Sequence, residues 1–541
     1  MVKRIRTAAF LFTLAAAPAG GTLAASAQTV PSPSPSPTAS ALTTSGFFRS
    51  YYFTRQNASN NPGARFNFTP GAPYAPNGVN QASLNNAVDL HAEYAFPGSG
   101  WYAGGTYLYA NPFDGPCAVA TNHARNATYP SPGCIEQVPP GTNPDESLPG
   151  FTLSTLYEAY LGYRGAGLTA KVGDQLFSSP WAGPIDTRIK PAAFQGADIA
   201  YAPPGGVTLE AAEMIQFQPR TSSAFISSTL LTSHPAGNYG LAPNINWPGG
   251  GSITTPGFFY GKAGYTSPNG DYSVNGYVWN VSDIVDMYWG TATYTAAQLN
   301  WQPYASLQVG LENNAGTSYI GKIASAPLGF QIGANATRRI VLSASYEEIP
   351  WRYDTIALPA NVTCGNTNYQ ITAKGVTLPY FLPLNAAQCF NRGNGTTTIA
   401  YGGWASPYTD SSNPFFTSSI SQGQANRRAP GQSWRLAATY TSLGGRLVVI
   451  AADAWYNYGN ALAPQKTVEW NLDGTYRFMA VPASGPYRGL QFRYRYAERT
   501  YSDTYCGAAA TNCAPGTPIG TSVLGGAPLF KYGRAMLEYD F

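Results

Sequence analysis

Leu490-Gln491-Phe492-Arg493-Tyr494-Arg495-Tyr496-Ala497-Glu498-Arg499 is the stretch whose reading decides the fold. In a strand, successive side chains point to opposite faces, so Leu490, Phe492, Tyr494 and Tyr496 share one side while Gln491, Arg493, Arg495 and Arg499 share the other. One side suits hydrocarbon and the other suits water. A soluble sandwich turns the apolar side inward, whereas a membrane barrel turns it toward lipid and lines a wet lumen with the cations. The rest of the chain has to choose between them.

The chain carries 11% charged residues, well below the ~25% of soluble globular proteins, and it is rich in Tyr and Gly. No apolar run after the first residues approaches the ~18 needed for a transmembrane helix. The remaining way across a bilayer is a closed barrel, in which every backbone donor and acceptor is paired. The abundant Tyr, Trp and Phe would then supply interfacial girdles.

Residues 1–27 have a basic head (Lys3, Arg4, Arg6), an apolar run and the small-residue pattern Ala25-Ser26-Ala27, which reads as a cleaved export signal. Its removal leaves basic and acidic residues nearly balanced, which argues against a general nucleic-acid binder. Residues 28–44 contain a Pro/Ser alternation and read as a tether. Residues 45–541 are left for the barrel. At the far end, Leu537, Tyr539 and Phe541 alternate with Glu538 and Asp540. A last strand closing on a terminal Phe resembles the signal by which Gram-negative barrels are recognised for outer-membrane assembly.

Alternation recurs between short turns. Leu307, Val309 and Leu311 alternate with Ser306, Gln308 and Glu312; Trp434 and Leu436 with Ser433 and Arg435; Trp470 and Leu472 with Glu469, Asn471 and Asp473. Tyr157, Ala159 and Leu161 are expected on one face of a strand that turns at Gly165-Ala166-Gly167, and Pro268-Asn269-Gly270-Asp271 is a second turn signal. In the aromatic stretch Phe47 to Arg55 both faces look alike, so inside and outside stay unassigned. With both chain ends at the periplasmic rim, the 501–528 loop is extracellular and the turn between Phe478 and Leu490 is periplasmic.

Six cysteines fall as Cys117 and Cys134, Cys364 and Cys389, Cys506 and Cys513, each pair within one Gly/Pro/Asn-rich segment. After export, three loop disulfides are the default reading among fifteen formal pairings. His91, His123 and His234 are scattered. Neither a metal site nor a nucleophile motif of the Gly-x-Ser-x-Gly kind is present, so no cofactor and no enzymatic activity are expected.

Four segments in the same order carry a family resemblance: Arg49 to Asn57; Lys171-Val172-Gly173-Asp174-Gln175 with Asp186 to Gly196 and Gln218-Pro219-Arg220-Thr221-Ser222; Ser433-Trp434-Arg435-Leu436; and Glu469 to Phe478 followed by Gly485 to Leu490 and the Arg493-x-Arg495 strand. Together they resemble the OprD-type family of outer-membrane porins. The resemblance implies an all-β, 18-stranded monomeric barrel in the bacterial outer membrane, narrowed by inward-folded loops. Its partners would be outer-membrane lipid and lipopolysaccharide, the barrel-assembly machinery at the C-terminal strand, and small anionic or zwitterionic solutes passing along a ladder of cations. By position Arg493 and Arg495 match the ladder's paired arginines, and Arg188 matches a basic residue of the inward loop. Face alternation adds Arg435, Arg477, Arg499, Arg49 and Arg55, with Glu469 and Asp473 as inward acids. The chain departs from the family in Ser421 to Arg428, which lacks an acid, and in Ala451 to Tyr458, which lacks an arginine. Set against the family, the first departure favours simple anions over basic amino acids, and the second implies a shorter ladder. A barrel that merely displays its loops as an adhesin or scaffold, and a barrel hydrolase, are the competing functions.

Overall fold

The computed structural model describes residues 41–57, 81–112, 152–184, 188–220, 222–227, 229, 255–316, 323–357, 369–373, 376–380, 389–391, 396–408, 414–420, 430–457, 466–482, 485–501 and 530–541. Within them the period-two patterns become eighteen long antiparallel strands that close on themselves. The first half comprises β1 (Leu42–Asn57), β2 (Gln81–Ala95), β3 (Trp101–Pro112), β4 (Leu153–Gly165), β5 (Leu168–Gln175), β6 (Ala193–Tyr201), β7 (Val207–Gln218), β8 (Phe258–Thr266) and β9 (Tyr272–Val281). The second half comprises β10 (Val285–Thr295), β11 (Tyr304–Asn314), β12 (Leu328–Thr337), β13 (Ile340–Ile349), β14 (Gly431–Ser442), β15 (Leu447–Asn457), β16 (Lys466–Arg477), β17 (Gly489–Tyr501) and β18 (Phe530–Asp540). A two-residue strand, Ala324–Ser325, pairs with the end of β11, and two small sheets form between β13 and β14.

Closure comes from β1 pairing with β18, with Phe53 opposite Arg534 and Phe47 opposite Asp540. Phe541 finishes the seam: its amide and carbonyl both bond to Gly46, and its ring lies 5.5 Å from that of Phe48. Gly46 is required here, because a Cβ would stand 2.1 Å from the Asp89 carbonyl oxygen. A barrel without a free edge satisfies all the ladder groups of its wall, which is the condition for standing in hydrocarbon.

Connections at the rim holding the end of β18 are short, as at 166–167, 202–206 and 338–339, while most of those at the opposite rim are long. At 166–167 both residues have positive φ, 50° for Ala166 and 78° for Gly167, as a two-residue hairpin matching the strand twist demands. Among the described residues no helix is long and apolar enough to cross a membrane.

The outer face is apolar and the inner face polar. Trp434 (55% exposed), Leu436, Trp470, Phe492, Tyr494, Leu307, Val309 and Leu311 point outward. Ser433, Glu469, Asn471, Asp473, Ser306, Gln308 and Glu312 are buried inside. In β1, where the sequence left the faces open, Phe48 and Tyr52 are outside, with Arg49, Tyr51 and Phe53 inside.

Two expectations need revision. Tyr157 does not share a face with Ala159 and Leu161: the β3–β4 register slips at Thr106/Tyr107, so Tyr157 is buried beside Glu158 while Ala159 and Leu161 stay outside. A bulge of one residue inverts everything on one side of it. The first strand begins at Leu42, inside the segment read as tether. The export signal, most of the tether, Cys117, Cys134, Cys364, Cys506, Cys513, His123, His234 and the 502–529 loop lie outside the described residues, as does the Cys389 side chain.

Candidate functional site, a basic row across from two inward loops

β16, β17, β18 and β1 are neighbours, and the pleat sends every second side chain of each into the lumen. On this wall Asp473, Arg495 and Arg534 are register partners in one row. Arg493 grips Asp473 with both arms of its fork, Nε donating to Oδ1 at 2.9 Å and Nη2 to Oδ2 at 2.7 Å. Arg495 brings Nε within 2.9 Å of the same Oδ2, but its N–H is not aligned into a hydrogen bond. On β18, Arg534 donates to the hydroxyl of Tyr532 on the same strand and lies 4.3 Å from that ring's centre. Toward the rim that carries the end of β18, Arg49 is ion-paired with Glu538, and Gln491 donates to both Glu538 and Asp540.

Arg435 stands on β14, within electrostatic reach of Glu469 and of the Tyr304 and Tyr456 phenols. Arg477 sits elsewhere. At the short-turn rim it donates to the Gly445 carbonyl at 3.0 Å and caps the Tyr487 ring, fastening two turns together. The side chains of Arg499 and Arg55 are outside the described residues. Arg493, Arg495, Asp473, Glu469 and Arg435 are thus brought to one wall, and Arg477 is set apart from them.

Two inward segments face this wall. The first, residues 176–184 and 188–192 between β5 and β6, lies inside the barrel: Arg49 Nη1 donates to the Arg188 carbonyl at 2.9 Å, and Arg188 lies buried over the Phe53 ring at 5.4 Å. Lys190, also buried, donates to Gln218 Oε1 at 2.9 Å and sits 5.2 Å from the Tyr157 ring centre. The second segment is formed by residues 402–408 and 414–420 of the connection between β13 and β14. Glu312 Oε2 accepts from the Ala405 amide at 2.7 Å, and Glu347 accepts from the Phe416 amide. Thr417 is held twice, by the Ser433 hydroxyl at 2.7 Å and by Tyr456, whose OH donates to the Thr417 carbonyl at 2.9 Å.

The two segments meet in an aromatic core inside the barrel. Trp181 packs at 5.1–5.2 Å against Trp289, Trp404 and Phe415, while Tyr408 packs on Phe194, Phe217 and Phe258. Ala182 and Tyr408 form a parallel bridge. Burial in this apolar setting pushes the Tyr408 phenol up, so it stays neutral. These rings are buried among themselves, so they brace the inward segments against the barrel wall and do not themselves line an open passage.

Sequence reasoning missed Arg534, Lys190 and this core. Carrying the Leu537/Tyr539 alternation two positions further back puts Arg534, Met536 and Glu538 on the inner face, so that signal was present. Trp181 and Trp404 had none: each stands in a Gly/Pro-rich connection with no period to read.

No family model matches the sequence, and no curated protein matches it either. Solved structures do match. OccK9 (OpdG) of Pseudomonas aeruginosa aligns with TM-score 0.58 at 16% identity, over 92% of this chain and 98% of that one. A BenF-like porin from Pseudomonas fluorescens Pf-5 aligns with TM-score 0.59 at 14% identity, again over 92% and 98%. OpdK of Pseudomonas aeruginosa, solved with vanillate, aligns with TM-score 0.56 at 13% identity over the same shares. At such identities the likeness speaks to the fold. The chain has the closed 18-stranded fold of these porins, the one that the resemblance to the OprD-type family implied.

Proposed function

We propose that the protein is an outer-membrane porin through which small carboxylate-bearing solutes diffuse passively along the basic row. The observation that carries this is the inverted barrel: apolar side chains cover the outside, and Arg49, Arg435, Arg493, Arg495 and Arg534 outnumber Glu469, Asp473, Glu538 and Asp540 on one inner wall. A carboxylate entering a narrow passage sheds water and needs replacement donors, which arginine offers in a planar fork that does not deprotonate. Repeated, loose contacts along a row let the solute move on instead of being trapped. Charged groups at membrane depth are costly and are kept for function. OpdK, whose structure holds vanillate, a carboxylate, adds chemical support for this substrate class.

The test is anion competition for current through the purified channel in planar bilayers. Arg493→Ala with Arg495→Ala is expected to weaken carboxylate occupancy by roughly tenfold or more, given about 1.5–3 kcal/mol per charged hydrogen bond. Equal competition in wild type and double variant would sink the assignment. A protein that forms no channel would favour the scaffold reading.

A further inference from the structure

We infer that Asp473 is the specificity-determining group of the basic row: a resident carboxylate that holds the Arg493 fork with two bonds, keeps Arg495 beside it and yields Arg495 to an incoming carboxylate. This deepens the porin reading and rests on it. The geometry is asymmetric. Arg493 is satisfied by two aligned bonds to Asp473, the side-by-side arrangement that a planar fork makes with a carboxylate. Arg495 approaches the same oxygen at 2.9 Å without aligning on it. One carboxylate therefore serves two cations, and it serves Arg493 well and Arg495 poorly.

The surroundings of Arg495 reinforce this. Its register partner on β18 is another cation, Arg534, and its remaining electrostatic neighbours are Arg493 and the Tyr51 and Tyr532 phenols, with Asp473 the acid among them. Arg495 is thus the less satisfied of the two forks that share Asp473, and the one an incoming carboxylate takes over with fewest aligned bonds to break. Exchange there swaps a poorly aligned carboxylate contact for one the fork can meet in its own plane, while the Arg493 bonds to Asp473 stay in place. A spherical anion offers the two arms one centre instead of two matched oxygens, and it gains less.

Asp473 also limits how tightly the row binds. Two guanidiniums facing one lumen without a counter-charge would retain an anion, and a passage needs sites that are favourable to enter and easy to leave. Asp473 acts as the competitor that empties the site. It discriminates by shape through the forks it orients and sets residence time through its charge.

The experiment uses the full exported chain in planar bilayers, with acetate as the carboxylate probe and chloride as the spherical anion. Asp473→Asn, which keeps the shape and removes the charge, is expected to bind acetate about tenfold more tightly, with longer blockages and a potassium chloride reversal potential moved toward anion preference. Asp473→Glu, which restores the charge, is expected to shorten the blockages again. An Asp473→Asn channel with wild-type acetate block and reversal potential overturns the role of Asp473 while leaving the porin reading intact. A wild-type channel indifferent to acetate overturns both. If Asp473→Asn does not assemble, Arg495→Lys decides: it keeps the charge and removes the fork, and an unchanged preference for acetate over chloride overturns the inference.

Discussion

Arg49 and Glu538 tie the first strand to the last at a point where neither is exposed. Arg49 also donates to the carbonyl of Arg188, so one guanidinium holds the barrel seam and the tip of an inward loop. Such a pair says little about net stability, since its desolvation offsets much of its attraction, but losing one member strands the other. Arg49→Ala is therefore expected to destabilise the folded barrel by about 3–5 kcal/mol, read as a lower denaturant midpoint in lipid vesicles. Adding Glu538→Gln should recover part of that loss, because Gln491 can still bond the amide oxygen at that position. If the double variant is no more stable than the single one, Glu538 is not the stranded charge. At this scale the alternation of the last strand already placed Glu538 inward, whereas its partner on β1 was hidden by aromatics on both faces.

The inward segments are elements in their own right, although they carry no regular structure. The 402–408 and 414–420 residues are bolted to the wall by buried Glu312 and Glu347, by Ser433 and by Tyr456, and Trp181, Trp404 and Phe415 fill the space between the two segments. A constriction held in this way is part of the wall. Replacing Glu312 and Glu347 together by Ala removes both carboxylate anchors and is expected to raise single-channel conductance with broader open-level noise. An unchanged current would mean the aromatics alone suffice. Trp181→Ala, which vacates a fully buried indole, should cost about 3–5 kcal/mol locally and make the amides of 402–408 and 414–420 exchange faster by hydrogen-exchange mass spectrometry. Little of this was legible beforehand. Strand contacts announce themselves through a period of two, but Trp181 and Trp404 meet across a separation in sequence that no local pattern encodes. Tyr157 failed for a related reason: a bulge is fixed by the neighbouring strand's register, which lies in another part of the chain.

At the scale of the whole molecule, what the sequence announced was the inversion. The Leu490 to Arg499 stretch fitted a sandwich as well as a barrel, and only low charge, the missing apolar helix and the alternating last strand separated the two. The closed sheet turns that choice into a difference between adjacent positions on one strand. Leu436 points out from the middle of β14, while its neighbour Ala437 points in with Ser343 and Ala452 as register partners. A cation at the first site would face hydrocarbon, and one at the second would join the polar inner face that carries Arg435 two residues away. Leu436→Arg is expected to lose about 2–4 kcal/mol near the bilayer midplane, seen as a lowered unfolding midpoint in vesicles, whereas Ala437→Arg should keep the midpoint and increase anion preference in bilayers. The two variants share charge, strand and helix-free context, so composition cancels between them. Equal losses at both positions would mean that the lumen is as dry as the outer surface, and an unaffected Leu436→Arg would mean that the outer surface meets water.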